Sequence, residues 1–145
     1  MKKKKTLIVM VLVGLLLVLA TGCVSATAPT VKVGSEEIET LYSVVGERPI
    51  TGSSVSTDTN GSKTELTYGN GSVSIGDVND YISKLVNEQG FLVTRQAEND
   101  GTGQTYQIGK QASEDGKIFL VDFYFEDGGN TVITYQVTAG TLTAK

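Results

Sequence analysis

The second half of the chain alternates between short apolar or β-branched runs and turns that contain glycine. The strongest runs are Ile118–Phe125 (IFLVDFYF) and Thr131–Val137 (TVITYQV), which the turn sequence EDGGN separates. The turn sequences ENDGTG and SEDG bound two earlier runs, Phe91–Arg95 and Tyr106–Ile108. Because glycine supplies the positive φ of tight hairpins, this pattern predicts an antiparallel meander of about three or four strands.

One more strand and two helices are predicted upstream. Thr64, Leu66 and Tyr68 alternate with polar residues, which is typical of a strand. Apolar residues recur with helical spacing in two other stretches: Ile38, Leu41, Tyr42 and Val45 within Ser35–Val45, and Ile75, Val78, Ile82, Leu85 and Val86 before Gly90. They predict helices over 35–45 and 77–89. The expected fold class is α+β, a mainly antiparallel sheet of about four to five strands with two helices packed on it.

The strongest predicted strand is apolar on both faces. Phe119, Val121, Phe123 and Phe125 share the face that we assign to the core, and Ile118, Leu120, Asp122 and Tyr124 share the opposite one. In a simple two-layer protein the second face would be polar. We expect the first helix to cover it; otherwise Leu120, Asp122 and Tyr124 form a partner or ligand face. Asp122 is either a charge that blocks aggregation or a ligand-facing carboxylate.

The N-terminus carries a positive block followed by an apolar segment. Lys2–Lys5 precede Thr6–Ala20 (TLIVMVLVGLLLVLA), and polar or small residues end the run. A bilayer-spanning helix needs roughly twenty apolar residues. A shorter run between lysines and small residues is the layout of a secretory signal peptide. We therefore predict a signal peptide over residues 1–22 rather than a permanent transmembrane helix.

Cys23 is the only cysteine of the chain and follows that segment directly. The sequence Leu19-Ala20-Thr21-Gly22-Cys23 resembles the lipobox of bacterial lipoproteins. The resemblance implies that the Cys23 thiol receives a diacylglyceryl group and that cleavage leaves Cys23 as the first residue, anchored to the cell membrane on its extracytoplasmic side. An ordinary signal peptide followed by an incidental cysteine is the alternative. Residues 23–34 are then expected to be a tether, and 35–145 a single domain.

Cleavage before Cys23 would make the remaining chain strongly acidic. Residues 1–22 contain four lysines and no acid, so 8 of the 12 basic residues and all 16 acidic ones remain, a net charge of −8. Phosphate backbones repel such a surface, so we expect no nucleic-acid partner. The expected partners are the membrane, through the lipid, and another protein of the cell envelope.

The residue types present exclude several chemistries. The chain has no histidine and no tryptophan. Ser-His-Asp and Cys-His nucleophile arrangements and imidazole metal sites are therefore excluded. An acylated Cys23 would leave no thiolate either. We expect no cofactor and no metal ion.

Carboxylates remain as candidate catalytic groups. They occur in the predicted turns Glu98–Gly101, Glu114–Gly116 and Glu126–Gly128. Two carboxyl groups that flank a cleft could serve a glycosidase, and a cluster could bind Ca²⁺, although none has the spacing of the twelve-residue calcium loop. Solvated turn residues are the simpler interpretation.

Three stretches, TLYSVVGERPITG, NEQGFLVT and FLVDFYFEDGGNTVITYQV, resemble small lipoproteins of Gram-positive bacteria that have no assigned activity. The resemblance implies a location in the envelope and supplies no site residues. We expect a lipid-anchored, non-catalytic domain for binding or interaction. The alternative is a carboxylate-based hydrolase of cell-wall or sugar material, and a purely structural role would leave the same sequence features.

Overall fold

The computed structural model describes residues 29–143, and this part of the chain is mostly β-structure. It contains eight strands and two helices. In chain order these are β1 (Thr30–Val33), β2 (Glu36–Glu39), α1 (Tyr42–Val45), β3 (Ile50–Thr57), β4 (Gly61–Tyr68), α2 (Ile75–Gln89), β5 (Leu92–Asn99), β6 (Gln104–Gln111), β7 (Lys117–Phe125) and β8 (Thr131–Ala139). The predicted signal peptide and Cys23 lie outside the described residues.

The strands form two antiparallel sheets. β1 and β2 make a separate hairpin, and the other six strands form one sheet in the order β3-β4-β8-β7-β6-β5. Helix α2 carries the chain from β4 to the far edge strand, β5. The meander β5-β6-β7-β8 then returns strand by strand until β8 pairs with β4. The meander predicted from the turn sequences is confirmed.

The predicted fold class is wrong in its proportions. The sequence predicts about four to five strands with two helices packed on them, whereas residues 29–143 form eight strands, one helix of 15 residues and one of four. Part of the difference comes from two strands, β1 and β3, in segments for which the sequence predicted neither a helix nor a strand. β1 lies in the segment predicted as tether, and β3 is an edge strand rich in serine and threonine that pairs with β4.

The first predicted helix, over 35–45, is also wrong. Gly34, with φ of 61°, opens a tight turn that pairs Val33 with Glu36, so residues 36–39 become β2. Only Tyr42–Val45 are helical. The spacing of Ile38 and Leu41 fits a helix equally well, but the hairpin partner β1 satisfies the backbone of β2 and buries both side chains in the core.

The second predicted helix is confirmed as α2, which begins at Ile75. Ser74 caps its N-terminus: the Ser74 Oγ accepts from the Asp77 backbone N–H at 3.1 Å, and the Asp77 carboxylate accepts from the Ser74 N–H at 3.0 Å. Gly90 ends the helix in the left-handed conformation, with φ of 75°. Its buried residues are Val78, Tyr81 and Leu85, so the core-facing side includes Tyr81 and leaves Ile75 exposed at its edge.

A single core lies on one face of the six-stranded sheet, called the inner face here. The four predicted core residues of β7, Phe119, Val121, Phe123 and Phe125, are all buried there. Helix α2 and the β1–β2 hairpin pack on the same face, where Val31, Val33, Ile38 and Leu41 join the core. Within residues 29–143, the sheet, α2 and the β1–β2 hairpin thus share one buried core.

Candidate functional site

The opposite face of the six-stranded sheet, called the outer face here, is the candidate site. Ile118, Leu120, Asp122 and Tyr124 lie on it and are each half-exposed. We expected the first helix to cover this face, which is wrong, because the segment packs on the inner face as β2 and α1. Within residues 29–143, no helix or strand lies across the outer face. The sheet therefore presents one uncovered surface that spans six strands.

The register of the sheet brings six polar residues into one row across this surface. Starting from β3, each residue pairs with the next: Ser54, Glu65, Thr134, Asp122, Gln107 and Arg95. One residue comes from each strand, so the row crosses the whole sheet perpendicular to the strands. With strands about 4.8 Å apart, it is roughly 24 Å long. We call it the polar row.

Asp122 is the centre of a hydrogen-bond network within the polar row. Its Oδ1 accepts from Arg95 Nη2 at 2.7 Å and from Gln107 Nε2 at 2.8 Å. The Gln107 Oε1 in turn accepts from the Thr94 hydroxyl at 2.9 Å. The side chains of Arg95 and Asp122 are 46% and 30% exposed, so this ion pair contributes at most about 1 kcal/mol to stability. Its clearer effect is to orient three side chains from three strands.

Two side chains of β7 that flank the polar row, Leu120 and Tyr124, each pack on a glycine and so lie flat on the sheet. A Cβ atom at Gly109 would lie 2.7 Å from Leu120 Cδ2, so Leu120 packs directly on the backbone of the neighbouring strand. A Cβ at Gly103 would lie 2.6–2.7 Å from the phenol ring of Tyr124, which rests on that glycine in the same way. On β7, Leu120 and Tyr124 thus lie on either side of Asp122 of the polar row.

The outer face is nearly balanced in charge. By register it carries Lys63 and Arg95 against Glu65, Glu98 and Asp122. The chain from Cys23 onward has a net charge of −8. Almost all of the excess negative charge therefore lies elsewhere on the domain. At the β3–β4 end, the face continues into a polar depression of about 430 Å³, lined in part by Lys63, Gln136 and Thr138.

The acidic turns are not brought together. Because the strands are antiparallel neighbours, the turns after β5 and β7 lie at one end of the sheet and the turn after β6 at the other. In the first of them, Asp100 Oδ1 accepts from the N–H of Gly103 and from the N–H and hydroxyl of Thr102, all within 2.8 Å. These bonds hold the pKa of Asp100 at about 2. Within residues 29–143, no group of three or more acidic side chains is arranged to hold a metal ion.

The sequence pattern of β7 indicated Leu120, Asp122 and Tyr124 but not the other residues of the polar row. Arg95 and Gln107 are 27 and 15 residues from Asp122 along the chain and join it only through strand register. Counting back from the turns ENDGTG and SEDG could have paired Gln107 with Asp122. The pairing of Gln107 with Arg95 could not be predicted by counting, because the register of β5 is irregular between Val93 and Arg95.

No protein-family model matches the chain, and no curated protein is significantly similar to it. Among the helices of residues 29–143, none has the length and hydropathy to cross a bilayer. Cys23, the predicted lipid attachment site, lies outside the described residues.

Proposed function

We propose that this protein is held on the extracytoplasmic side of the cell membrane by lipid on Cys23, and that its outer face binds another protein of the cell envelope without catalysis. One observation carries the proposal. Within residues 29–143, the six-stranded sheet has a buried core on its inner face and an uncovered outer face that combines half-exposed apolar side chains with an ordered polar row. Interfaces typically combine these two kinds of surface.

The charge distribution supports a protein partner. A domain with a net charge of −8 repels most acidic surfaces, but its outer face carries nearly equal numbers of acidic and basic groups. Charge balance and pre-oriented hydrogen-bonding groups lower the desolvation and ordering costs of association. Leu120 and Tyr124 supply the apolar contacts beside the polar row.

The start of the fold limits how far this face stands from the membrane. β1 begins at Thr30, so about six residues link it to Cys23. Fully extended, they reach roughly 20 Å. The proposed partner is therefore one that presents its binding surface close to the membrane.

No observation favours the alternative, a carboxylate-based hydrolase. Such an enzyme needs two carboxyl groups that flank one cleft. The turns Glu98–Gly101 and Glu126–Gly128 share one end of the sheet but join different strand pairs, and Glu114–Gly116 lies at the other end. Asp122 Oδ1 already accepts two hydrogen bonds. These arrangements support a binding surface.

The anchor is tested by changing Cys23→Ser in the full chain. Serine has no thiol to form the thioether, so the variant should lose labelling by a clickable fatty acid. It should also appear in the medium or remain as the uncleaved precursor. Labelling of the variant at the level of the unchanged protein would contradict the lipid anchor.

The binding face is tested by a pair of charge insertions on β7. Phe123 is buried among apolar side chains, so Phe123→Asp should unfold the domain. Leu120 is half-exposed on the outer face, so Leu120→Asp should change the melting temperature by only a few degrees while preventing recovery of the partner from intact cells. Asn87→Asp, on the exposed side of α2, is the matched control and should retain the partner. Unfolding by Leu120→Asp, or unchanged recovery, would contradict the proposal.

A further inference from the structure

The molecule has a second open feature on the inner side of the sheet, independent of the outer face. It is a groove of about 290 Å³ between α2 and strands β5, β6 and β7. Its floor is apolar and includes Val78, Phe123 and Phe125. Ile75 and Ile82 form the helix wall, and Ala97 of β5 lies on the facing wall. We call it the helix–strand groove.

The groove exists because the apolar side of α2 is wider than the core that it covers. The sequence places Ile75, Val78, Ile82, Leu85 and Val86 on one apolar stripe. In the fold, Tyr81 joins Val78 and Leu85 in the core. The flank with Ile75 and Ile82 lies at the edge of the core: Ile82 is partly buried against it, and Ile75 is 40% exposed. Strand β5 gives that flank no cover, since all of its residues are exposed. The helix therefore keeps an apolar flank that is only partly covered within residues 29–143.

Polar groups with free hydrogen-bonding capacity stand around the apolar floor. Asn79 and Ser83 lie on the helix side and Gln104 at the start of β6. Their side chains make no hydrogen bond within residues 29–143. Each carboxamide offers a donor and an acceptor together. This combination matches the N–H and C=O of a peptide group.

The lining also specifies the charge and size of an occupant. None of the residues around the groove is charged, although the chain from Cys23 onward has a net charge of −8. A charged occupant would lose hydration and gain no ion pair. An apolar cavity of about 150 Å³ holds benzene, so 290 Å³ accommodates one aromatic or branched side chain with an adjoining peptide group.

The geometry points to the helix–strand groove as a binding site for an uncharged peptide segment of another protein. One aromatic or branched apolar side chain of that segment packs between Ile75 and Ile82 of α2 and Ala97 of β5. The carboxamides of Asn79 and Gln104 pair with its flanking peptide groups. A single side chain gives few contacts, so an isolated fragment binds in the millimolar range.

The test is an NMR titration of residues 24–145 with four small probes. N-acetyl-phenylalaninamide carries the side chain and two amide groups, and N-acetyl-leucinamide replaces the ring by a branched chain. N-acetyl-glycinamide lacks the side chain, and N-acetyl-phenylalanine carries a carboxylate. The two apolar amides should shift the resonances of Asn79, Ser83 and Gln104 saturably. The glycine probe should cause no saturable shift, and the carboxylate probe should bind at least about fivefold more weakly.

Two variants show where the probe binds. Ala97→Phe places a ring into the groove from an exposed position on β5 and should weaken binding at least about tenfold. Gln96→Phe adds the same ring at the adjacent residue, which does not line the groove, and should leave binding unchanged. Ala97→Leu is a second variant that introduces a smaller side chain at the same position. The comparison of the four probes on the unchanged protein does not depend on either variant.

Several results would overturn the inference. Equal shifts with N-acetyl-glycinamide would show that the side chain is not recognised. Equal affinity for the carboxylate probe would refute the requirement for a neutral occupant. Shifts centred on the outer face, or full affinity in a folded Ala97→Phe protein, would place the site elsewhere. Shifts of the groove resonances with protein concentration alone would assign the groove to a second copy of the chain.

Discussion

A chain of buried hydroxyl groups ties three elements of the core together, and its geometry predicts an order of stability losses. The Tyr81 hydroxyl of α2 donates to the backbone carbonyl of Glu39 at the end of β2. It lies 3.0 Å from the hydroxyl of Tyr135 on β8. Since Tyr81 has one proton and uses it on Glu39, Tyr135 must be the donor in the second bond. Burial raises the pKa of both phenols, which keeps them protonated donors.

Changing Tyr81→Phe breaks both bonds and leaves two buried groups without this partner, the Tyr135 hydroxyl and the Glu39 carbonyl. At about 1–3 kcal/mol for each of the two unpaired groups, the free energy of unfolding should fall by about 2–6 kcal/mol. Tyr135→Phe removes only the hydrogen bond that Tyr135 donates to Tyr81, and Tyr81 keeps its bond to Glu39. That change should cost about 0.5–1.5 kcal/mol.

Tyr68 provides the internal comparison. Its hydroxyl is buried but has no hydrogen-bond partner among residues 29–143, and burial raises its pKa to about 12. Tyr68→Phe removes an unpaired polar group, so stability should stay the same or rise by up to about 1 kcal/mol. Tyr124→Phe, on the half-exposed outer face, is a surface control that should stay within about 0.5 kcal/mol.

Urea unfolding of residues 24–145, with a common slope for all variants, measures these differences. The expected order of destabilisation is Tyr81→Phe, then Tyr135→Phe, then Tyr68→Phe. A loss with Tyr135→Phe that equals or exceeds that with Tyr81→Phe would refute the assigned direction of donation. A loss of more than about 1 kcal/mol with Tyr68→Phe would refute the claim that its hydroxyl is unpaired.

Two further predictions follow from the start of the fold and from an acidic turn. A chain that begins at residue 35 loses the buried Val31 and Val33. Its free energy of unfolding should therefore be at least about 3 kcal/mol lower than that of residues 24–145. Equal urea midpoints for the two chains would contradict the place of β1 in the core. Asp100 should titrate near pH 2 in carboxyl ¹³C NMR, because the Gly103 N–H and the Thr102 hydroxyl and N–H bind its ionised form. Since this pKa is lowered, the turn stabilises the fold above pH 3.8, and the contribution disappears as the pH falls towards 2. A measured pKa of 3.8 would contradict the hydrogen bonds to the Asp100 carboxylate.

The elements predicted correctly are those whose signal is local. β7 and β8 have unbroken alternation and a glycine turn between them, and α2 has a capping serine, an apolar stripe and a terminal glycine. Each of these features depends on residues within one turn or one hairpin. The sequence therefore contained enough information to predict them.

The elements predicted wrongly depend on a partner far along the chain or on a weak pattern. β3 is rich in serine and threonine and becomes a strand through its pairing with β4. β2 has helical spacing but pairs with β1, which looks like part of a polar tether. Asp122 stood out in the sequence as a charge in an apolar strand, but its partner Arg95 lies across two strand pairings and an irregular register. Such contacts follow from topology, which local patterns do not specify.

The most direct test of the binding face is site-specific photocrosslinking in intact cells that carry the full, lipid-anchored chain. A photoreactive residue at Thr134, in the middle of the polar row, should give one discrete crosslinked product. The same group at Asn87, on the exposed side of α2, should give none, and Leu120→Asp should abolish the product from Thr134. Equal products from both positions, or a Thr134 product that survives Leu120→Asp in a folded protein, would contradict the proposal that the outer face is the binding surface.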